Sequence, residues 1–220
     1  EEDYEDPEAE GRRLSEFTLI EPEKPYEGLQ PDKALNILID EESSVIKAVI
    51  KKVLTNFPNS VSILGGDLGY LERVLQEKFS IITYEEALSL LSTGNRKYGF
   101  GVDFGVKEER EILEYFKQVP TFVTYYPSSI KFFNMKRLPD GNKVYSVDLL
   151  MPKLGETSGG ALREEDGETI KKQLLESRIG RSLIEKHQDP ITPFTEYFKL
   201  FEQEKPLLRG GYGIGFERFV

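Results

Sequence analysis

The chain has 220 residues, 38% of them apolar and 31% charged, with 29 basic against 39 acidic groups and a net charge of −10. That composition describes a globular chain with one good-sized core or two small ones, and argues against a free-standing nucleic-acid binder, though not against a local basic patch. No apolar run reaches membrane-span length, zero Cys excludes disulfides and thiolate metal sites, and a single His, His187, argues against a His-based metal site or a Ser-His-Asp triad.

The chain opens EEDYEDPEAEG, acidic and without Met, which predicts a mobile loop on a processed or partial chain and does not resemble a signal peptide. Residues 12–21 alternate enough for a strand, with Phe17 and Leu19 on one face, ended by Pro22, Pro25 and Gly28. Pro31 suits a first helical position, and Leu35, Leu38, Ile39, Val45, Ile46, Val49, Ile50, Val53 and Leu54 follow the helical period. Ser43 and Ser44 are expected to interrupt that helix. A short amphipathic helix over 68–77 and a strand over 79–82 follow. Thr83 and Glu86 form a capping box for a helix over 85–91. A helix over 108–116, a β-rich segment over 121–126 and an aromatic-rich strand over 130–137 come next. The turn Pro139-Asp140-Gly141-Asn142 leads into a strand through Met151, with helices at about 167–177 and 193–203. Phe194, Tyr197, Phe198 and Phe201 read as core, and His187 as a solvated residue. Strands joined by turns with irregularly interspersed helices predict an α+β domain on an antiparallel sheet.

The stretch KVYSVDLLMPKLGETSGGALRE, residues 143–164, carries the chemistry. Asp148 and Glu156 lie eight residues apart across a break at Pro152 and Gly155. On adjacent antiparallel strands they can converge on one divalent cation such as Mg²⁺; the competing reading is a polar hairpin edge. Gly159 and Gly160 would let a ligand approach the backbone, and Arg163 offers a fork of donors for a carboxylate. Arg12, Arg13 and Phe17 form a nucleotide-type set, a Phe against a base and Arg on phosphates, with core Phe and surface Arg as the alternative. The terminal GGYGIGFERF is not a dinucleotide loop, because no βαβ unit follows. Alternating Gly suits a strand lying flat against something planar, with Arg218 opening a helix.

Together these segments resemble the catalytic domain of class II aminoacyl-tRNA synthetases, specifically the asparaginyl branch. RRLSEFTLIEPE (12–23) resembles the second half of motif 2, and GYGIGFERF (211–219) resembles motif 3. FVTYYPSSIKFFNMKR (122–137), VDLLMPKLGETSGGALREE (147–165) and ITYEEALSLL (82–91) resemble family segments in register. Aspartyl enzymes typically space the two metal-binding acids seven apart and follow them with SGAQR-type sequence. The eight-residue spacing here, then Arg163-Glu164, is similar to the asparaginyl pattern. A carboxylate at Glu164 could accept the NH₂ of a neutral amide substrate and repel an acidic one; an exposed salt-bridge partner is the alternative.

The resemblance implies that Phe17 and Arg218 sandwich adenine, and that Arg218 and Arg13 reach the γ-phosphate. The implied ATP-binding set is Arg12, Arg13, Phe17, Asp148, Glu156, Gly215 and Arg218, with Asp148 and Glu156 holding Mg²⁺. The implied amino-acid site is Gly159, Gly160, Arg163 and Glu164, and Arg218 and Glu156 are the implied catalytic residues. The implied reaction is attack of asparagine's carboxylate on the α-phosphate of ATP, then transfer to tRNA, in a cytoplasmic homodimer, with an organelle as the other compartment. The motif 2 Arg that grips the α-phosphate, motif 1 and an anticodon-binding barrel are not in the chain, and Leu208-Arg209 departs from the usual small or His-containing turn before motif 3. Residues 1–220 therefore read as part of a catalytic domain in a larger polypeptide. The alternatives are a tRNA-independent asparagine-synthetase-like or aspartyl-activating paralogue, or a non-catalytic synthetase-like module.

Overall fold

A computed structural model describes residues 15–94, 96–203 and 207–219. The acidic opening segment therefore lies outside the described residues, as do Arg12 and Arg13.

Helix α1 (Pro31–Asn56) supports one face of a seven-stranded sheet. Pro31 occupies the first turn, where its missing N–H costs nothing. Ala34, Leu35, Leu38, Ile39, Glu42, Ile46 and Ile50 recur at three- and four-residue spacing and are buried. Each large aliphatic among them contributes about 2 kcal/mol on burial. Ser43 and Ser44 do not interrupt the helix. Their hydroxyls donate to the carbonyls of Ile39 and Asp40, four residues back, so they are satisfied within it.

The sheet contains β1 (Leu19–Ile20), β2 (Glu23–Pro25), β3 (Ser80–Thr83), β4 (Thr121–Thr124), β5 (Ser146–Met151), β6 (Gly155–Arg163) and β7 (Arg209–Gly215). Its order is β1-β7-β6-β5-β4-β3, and β2 also pairs with β7. Among the described residues of the predicted strand over 12–21 only Leu19–Ile20 are strand, and Pro22, taken as its end, instead separates two short strands on the same edge. Every pairing is antiparallel except β3 with β4, which is parallel. The connection between them carries α4 (Tyr84–Leu91) and α5 (Val106–Tyr115). The capping box of α4 forms as the sequence predicts: Thr83 Oγ1 accepts from Glu86 N–H at 3.2 Å, and Glu86 Oε2 accepts from Thr83 N–H at 2.9 Å.

β5 is buried along its whole length because both faces are covered. Val147, Leu149 and Met151 pack toward α1, whereas Leu150 joins Val123, Tyr84, Leu91 and Ile112 on the opposite face. A third cluster gathers Phe133, Ile170, Leu174 and Phe198, joining the 130–137 segment to α6 (Gly167–Glu176) and α8 (Thr195–Gln203). The short helices α2 (Pro58–Ile63), α3 (Leu68–Gln76), α7 (Arg178–Glu185) and α9 (Phe216–Phe219), with a 3₁₀ turn at Thr192–Phe194, complete the described elements.

Residues 130–137 do not form the expected strand. They make a looping segment with isolated bridges from Met135 to Arg163 and from Arg137 to Val144. The reason lies in three near neighbours. Lys131 reaches Asp148, Phe133 enters the third core and Phe132 faces outward, a sequence of directions that two-residue alternation does not provide.

Candidate active site

The site begins with a register shift. Asp148 pairs with Gly159 and Leu149 with Ser158, but Leu150 pairs with Glu156, so Thr157 is an extra residue on β6. In a regular ladder Glu156 would share the α1 face with Ser158 and Gly160. The bulge turns it to the face of Leu150 and Asp148. Asp148 Oδ1 and Glu156 Oε1 consequently both lie 3.4 Å from the point a Cβ on Gly159 would occupy. Helix α5 supports this turn: Glu109 Oε2 accepts from the Glu156 N–H at 3.0 Å.

Asp148 is held from its other side. Lys131 Nζ stands 2.5 Å from Asp148 Oδ2 and 4.0 Å from the centroid of the Tyr126 ring. Burial pushes the Asp148 carboxyl up, against the pull of the Lys131 ammonium and the Tyr126 hydroxyl. Burial disfavours the charge on Lys131, but Asp148, Glu156 and Asp103 outweigh it and hold the ammonium charged. Lys131 was not among the residues expected from sequence; it sits in the stretch read as an aromatic strand.

Small residues extend the same face. Gly159 pairs with Gly213 and Ala161 with Gly211, and paired residues share a face. Gly159 and Gly213 leave the backbone bare beside the Asp148–Glu156 pair, whereas farther toward Arg163 Ala161 is fully buried and Pro22 and Glu23 close over Gly211. Along β6, Gly159 and Arg163 are about 13 Å apart. Arg163 pairs with Arg209, and both guanidinium groups meet Glu23: its Oε2 is 3.6 Å from Arg163 Nε, and its Oε1 accepts from Arg209 Nε at 2.8 Å. Glu23 was likewise not singled out in the sequence, although an acidic residue closing the motif 2-like segment was the available signal, and Arg209 was noted only as part of an unusual turn before motif 3.

Two expected amino-acid-site residues stand elsewhere. Gly160 is buried on the α1 side, where an added Cβ would lie 2.9 Å from Tyr212 Cβ and 3.0 Å from the Gly211 carbonyl. Its lack of a side chain lets β6 and β7 pack against the core. Glu164 is buried, and its Oε1 accepts from the N–H groups of Glu165 (3.0 Å) and Asp166 (3.3 Å), with Lys136 Nζ at 3.5 Å. That carboxylate shapes the turn into α6 and is not presented beside Arg163.

The expected adenine-binding pieces meet at the far edge. Phe17 is 64% exposed just before β1. The next residue, Thr18, donates its N–H to both oxygens of Glu217 (3.0 and 2.9 Å), and the Phe216 N–H donates to the Thr18 carbonyl at 2.9 Å. Phe17 is thereby fixed beside α9, the helix that contains Arg218, while Gly215 ends β7 opposite Leu19. The side chain of Arg218 lies outside the described residues.

Among the described residues no group of three or more His, Cys, Asp or Glu could hold a metal, so any cation at this site relies on the two carboxylates and on ligand oxygens. Among the described residues, too, no helix is long and apolar enough to cross a membrane.

Comparison with known proteins places these features in a family. The asparaginyl-tRNA synthetase of Mus musculus is 32% identical over 220 residues, covering 95% of this chain and 43% of its own length. An asparagine–tRNA ligase of Clostridium beijerinckii is 33% identical over 218 residues, with the same coverages. The chain thus spans less than half the length of the curated relatives it matches. The solved structure of asparaginyl-tRNA synthetase from Pyrococcus horikoshii complexed with asparaginyl-adenylate superposes with a TM-score of 0.76 at 28% identity, covering 94% of this chain and 44% of that one. Residues 4–220 match the family described as class II tRNA synthetases (D, K and N), and the chain belongs to that family.

Proposed function

We propose that this chain carries the site at which a class II synthetase activates asparagine with ATP, yielding asparaginyl-adenylate and pyrophosphate, and then loads tRNA. The observation that carries this reading is the convergence of Asp148 and Glu156 oxygens over Gly159, beside bare backbone at Gly159 and Gly213 and on the strand that carries Arg163. The names of the relatives, and the asparaginyl-adenylate in a solved structure of one of them, support the choice of asparagine and ATP.

The residues divide the work by charge and shape. The bare backbone of the paired Gly159 and Gly213 lets a flat substrate lie directly on it. The two carboxylates over Gly159 fit Mg²⁺, because hard oxygen donors converge where no Cβ intrudes. Bound there, Mg²⁺ would neutralise ATP phosphate charge. Lys131 opposes the upward shift that burial imposes on Asp148 and fixes its second oxygen, so Oδ1 is oriented before ligand arrives. Arg163, steadied by Glu23, would donate to the side-chain carbonyl of asparagine. Phe17 would cover the adenine face from the sheet edge. In-line attack by the substrate carboxylate on the α-phosphate then depends on positioning and charge neutralisation, with pyrophosphate as the leaving group. Arg12, Arg13 and Arg218 belong to the same reading as phosphate and adenine contacts, and a second copy of the chain as its dimer partner.

ATP–pyrophosphate exchange on the full-length protein, with asparagine, aspartate or no amino acid, tests the reading. Exchange with asparagine alone supports it. Exchange with aspartate alone moves the protein to aspartyl activation, and no exchange with either leaves a non-catalytic module.

A further inference from the structure

Arg163 and Arg209 stand directly opposite each other where β6 pairs with β7, so their side chains leave the same face side by side. Like charges placed in this way repel unless a counter-charge joins them, and Glu23 supplies it from β2, on the other side of β7. The sharing is unequal. Glu23 Oε1 accepts from Arg209 Nε at 2.8 Å, a charge-assisted hydrogen bond. Its Oε2 stands 3.6 Å from Arg163 Nε, beyond hydrogen-bonding range, and among the described residues the Arg163 guanidinium makes no hydrogen bond. Arg209 is also held by α8. Its Nη2 donates to the Tyr197 hydroxyl at 3.4 Å, and its guanidinium carbon lies 5.5 Å from the centroid of the Phe201 ring. Tyr197 and Phe201 are four residues apart and so share one face of that helix.

Arg209 is thus committed on three sides, while Arg163 keeps its donors. One carboxylate between two guanidinium groups leaves one positive charge over, and the distances assign that surplus to Arg163. We propose that Arg209 is a positioning residue for amino-acid binding: by occupying Glu23 it keeps that carboxylate from closing on Arg163, whose fork stays open for the substrate side chain. Among the described residues Glu23 has no third cation to draw it away. Without Arg209 it would meet Arg163 through two parallel hydrogen bonds, and substrate would have to displace that pair before binding. Arg209 stands where the sequence departs from the small or His-containing turn expected before motif 3, so the device belongs to this chain. The inference rests on the reading that Arg163 holds the substrate side chain.

The test uses the full-length protein and its R209M, R209K and R209Q variants. ATP–pyrophosphate exchange gives kcat and the KM values for asparagine and ATP. Phenylglyoxal labelling followed by peptide mass spectrometry gives the reactivity of Arg163 itself, independently of activity. R209M is expected to raise the KM for asparagine at least tenfold, to leave kcat and the KM for ATP within threefold, and to slow Arg163 labelling at least threefold. R209K keeps a cation on Glu23 and should return the KM for asparagine and the labelling rate to within twofold of the unmodified protein. R209Q is neutral, should behave as R209M does, and replaces it if the methionine variant fails to fold. Arg163 labelling at the unmodified rate in R209M overturns the proposal, as does a KM for ATP that rises in step with that for asparagine. In a protein without exchange the activation reading falls instead, and Arg163 labelling alone decides the role of Arg209.

Discussion

Lys131 and Asp148 form an ion pair at 2.5 Å in which both side chains are largely removed from water. Such a pair gains little against an apolar replacement of both partners, but breaking one side strands a buried charge. K131M should therefore cost about 3–5 kcal/mol of stability. K131M/D148N should recover part of that loss, because the remaining amide carries no charge. Urea unfolding of both variants checks this, and equal losses in the two would show that the pair itself is not the source.

The two glycines at the centre of β6 predict opposite phenotypes. A Cβ at Gly160 would meet Tyr212 Cβ at 2.9 Å and the Gly211 carbonyl at 3.0 Å, so G160A should destabilise by about 1–3 kcal/mol through overpacking. At Gly159 the nearest atoms are the Asp148 and Glu156 oxygens at 3.4 Å, an ordinary contact distance. G159A should fold normally and lose at least tenfold in Mg²⁺-dependent exchange, because the methyl fills the point on which the carboxylates converge. Thermal unfolding paired with exchange assays separates the two effects.

Much of this architecture was legible in the sequence, for reasons that can be traced to particular residues. Capping by Thr83 and Glu86 is a local geometry written in four residues, and the period of α1 from Ala34 to Ile50 is set by one buried face. The bulge at Thr157 was not legible, because a one-residue register shift depends on how β5 and β6 settle against α1 and α5. Without it, the eight-residue spacing of Asp148 and Glu156 gives proximity in sequence but not a shared face. Lys131 was hidden for a related reason: a lysine among aromatics reads as strand surface until its partner on β5 is known. Helix α7 escaped notice because it is only eight residues long and offers three large apolar positions, Ile179, Leu183 and Ile184, too few to establish a period.

Glu164 offers a test of what the fold has reassigned. Its Oε1 is committed to two backbone N–H groups at the entry to α6. E164Q should accordingly weaken that turn, lowering the melting temperature by a few degrees, and leave the ratio of asparagine to aspartate exchange unchanged. A shift of that ratio toward aspartate by tenfold or more would return Glu164 to the substrate pocket.

Glu156 carries the opposite expectation. Its side chain is exposed and makes no part of a hydrophobic core, so E156A should keep the melting temperature within a few degrees of the unmodified protein. Exchange should fall below detection at any Mg²⁺ concentration that supports the unmodified enzyme. Undiminished exchange would remove Glu156 from the metal site.

Glu42 gives the most direct pH prediction, because its cause is visible in its surroundings. It is 1% exposed on α1, under the back of β6, and neither of its oxygens has a hydrogen-bond partner. Burial pushes its carboxyl up to about 7, the Ser158 hydroxyl opposing the shift and Asp148 adding to it. The folded protein thus binds this proton more tightly than the unfolded chain does. Stability from this group is full below its unfolded value of 4.5 and is lost as pH rises through about 7. E42Q removes the titration while keeping the shape, so the stability difference between variant and unmodified protein should grow across that window. At pH 8 the variant should be the more stable by up to about 3 kcal/mol. Urea unfolding at pH 5 and pH 8 measures the difference directly. A variant whose advantage is the same at both pH values would mean that Glu42 is already ionised in the folded protein throughout.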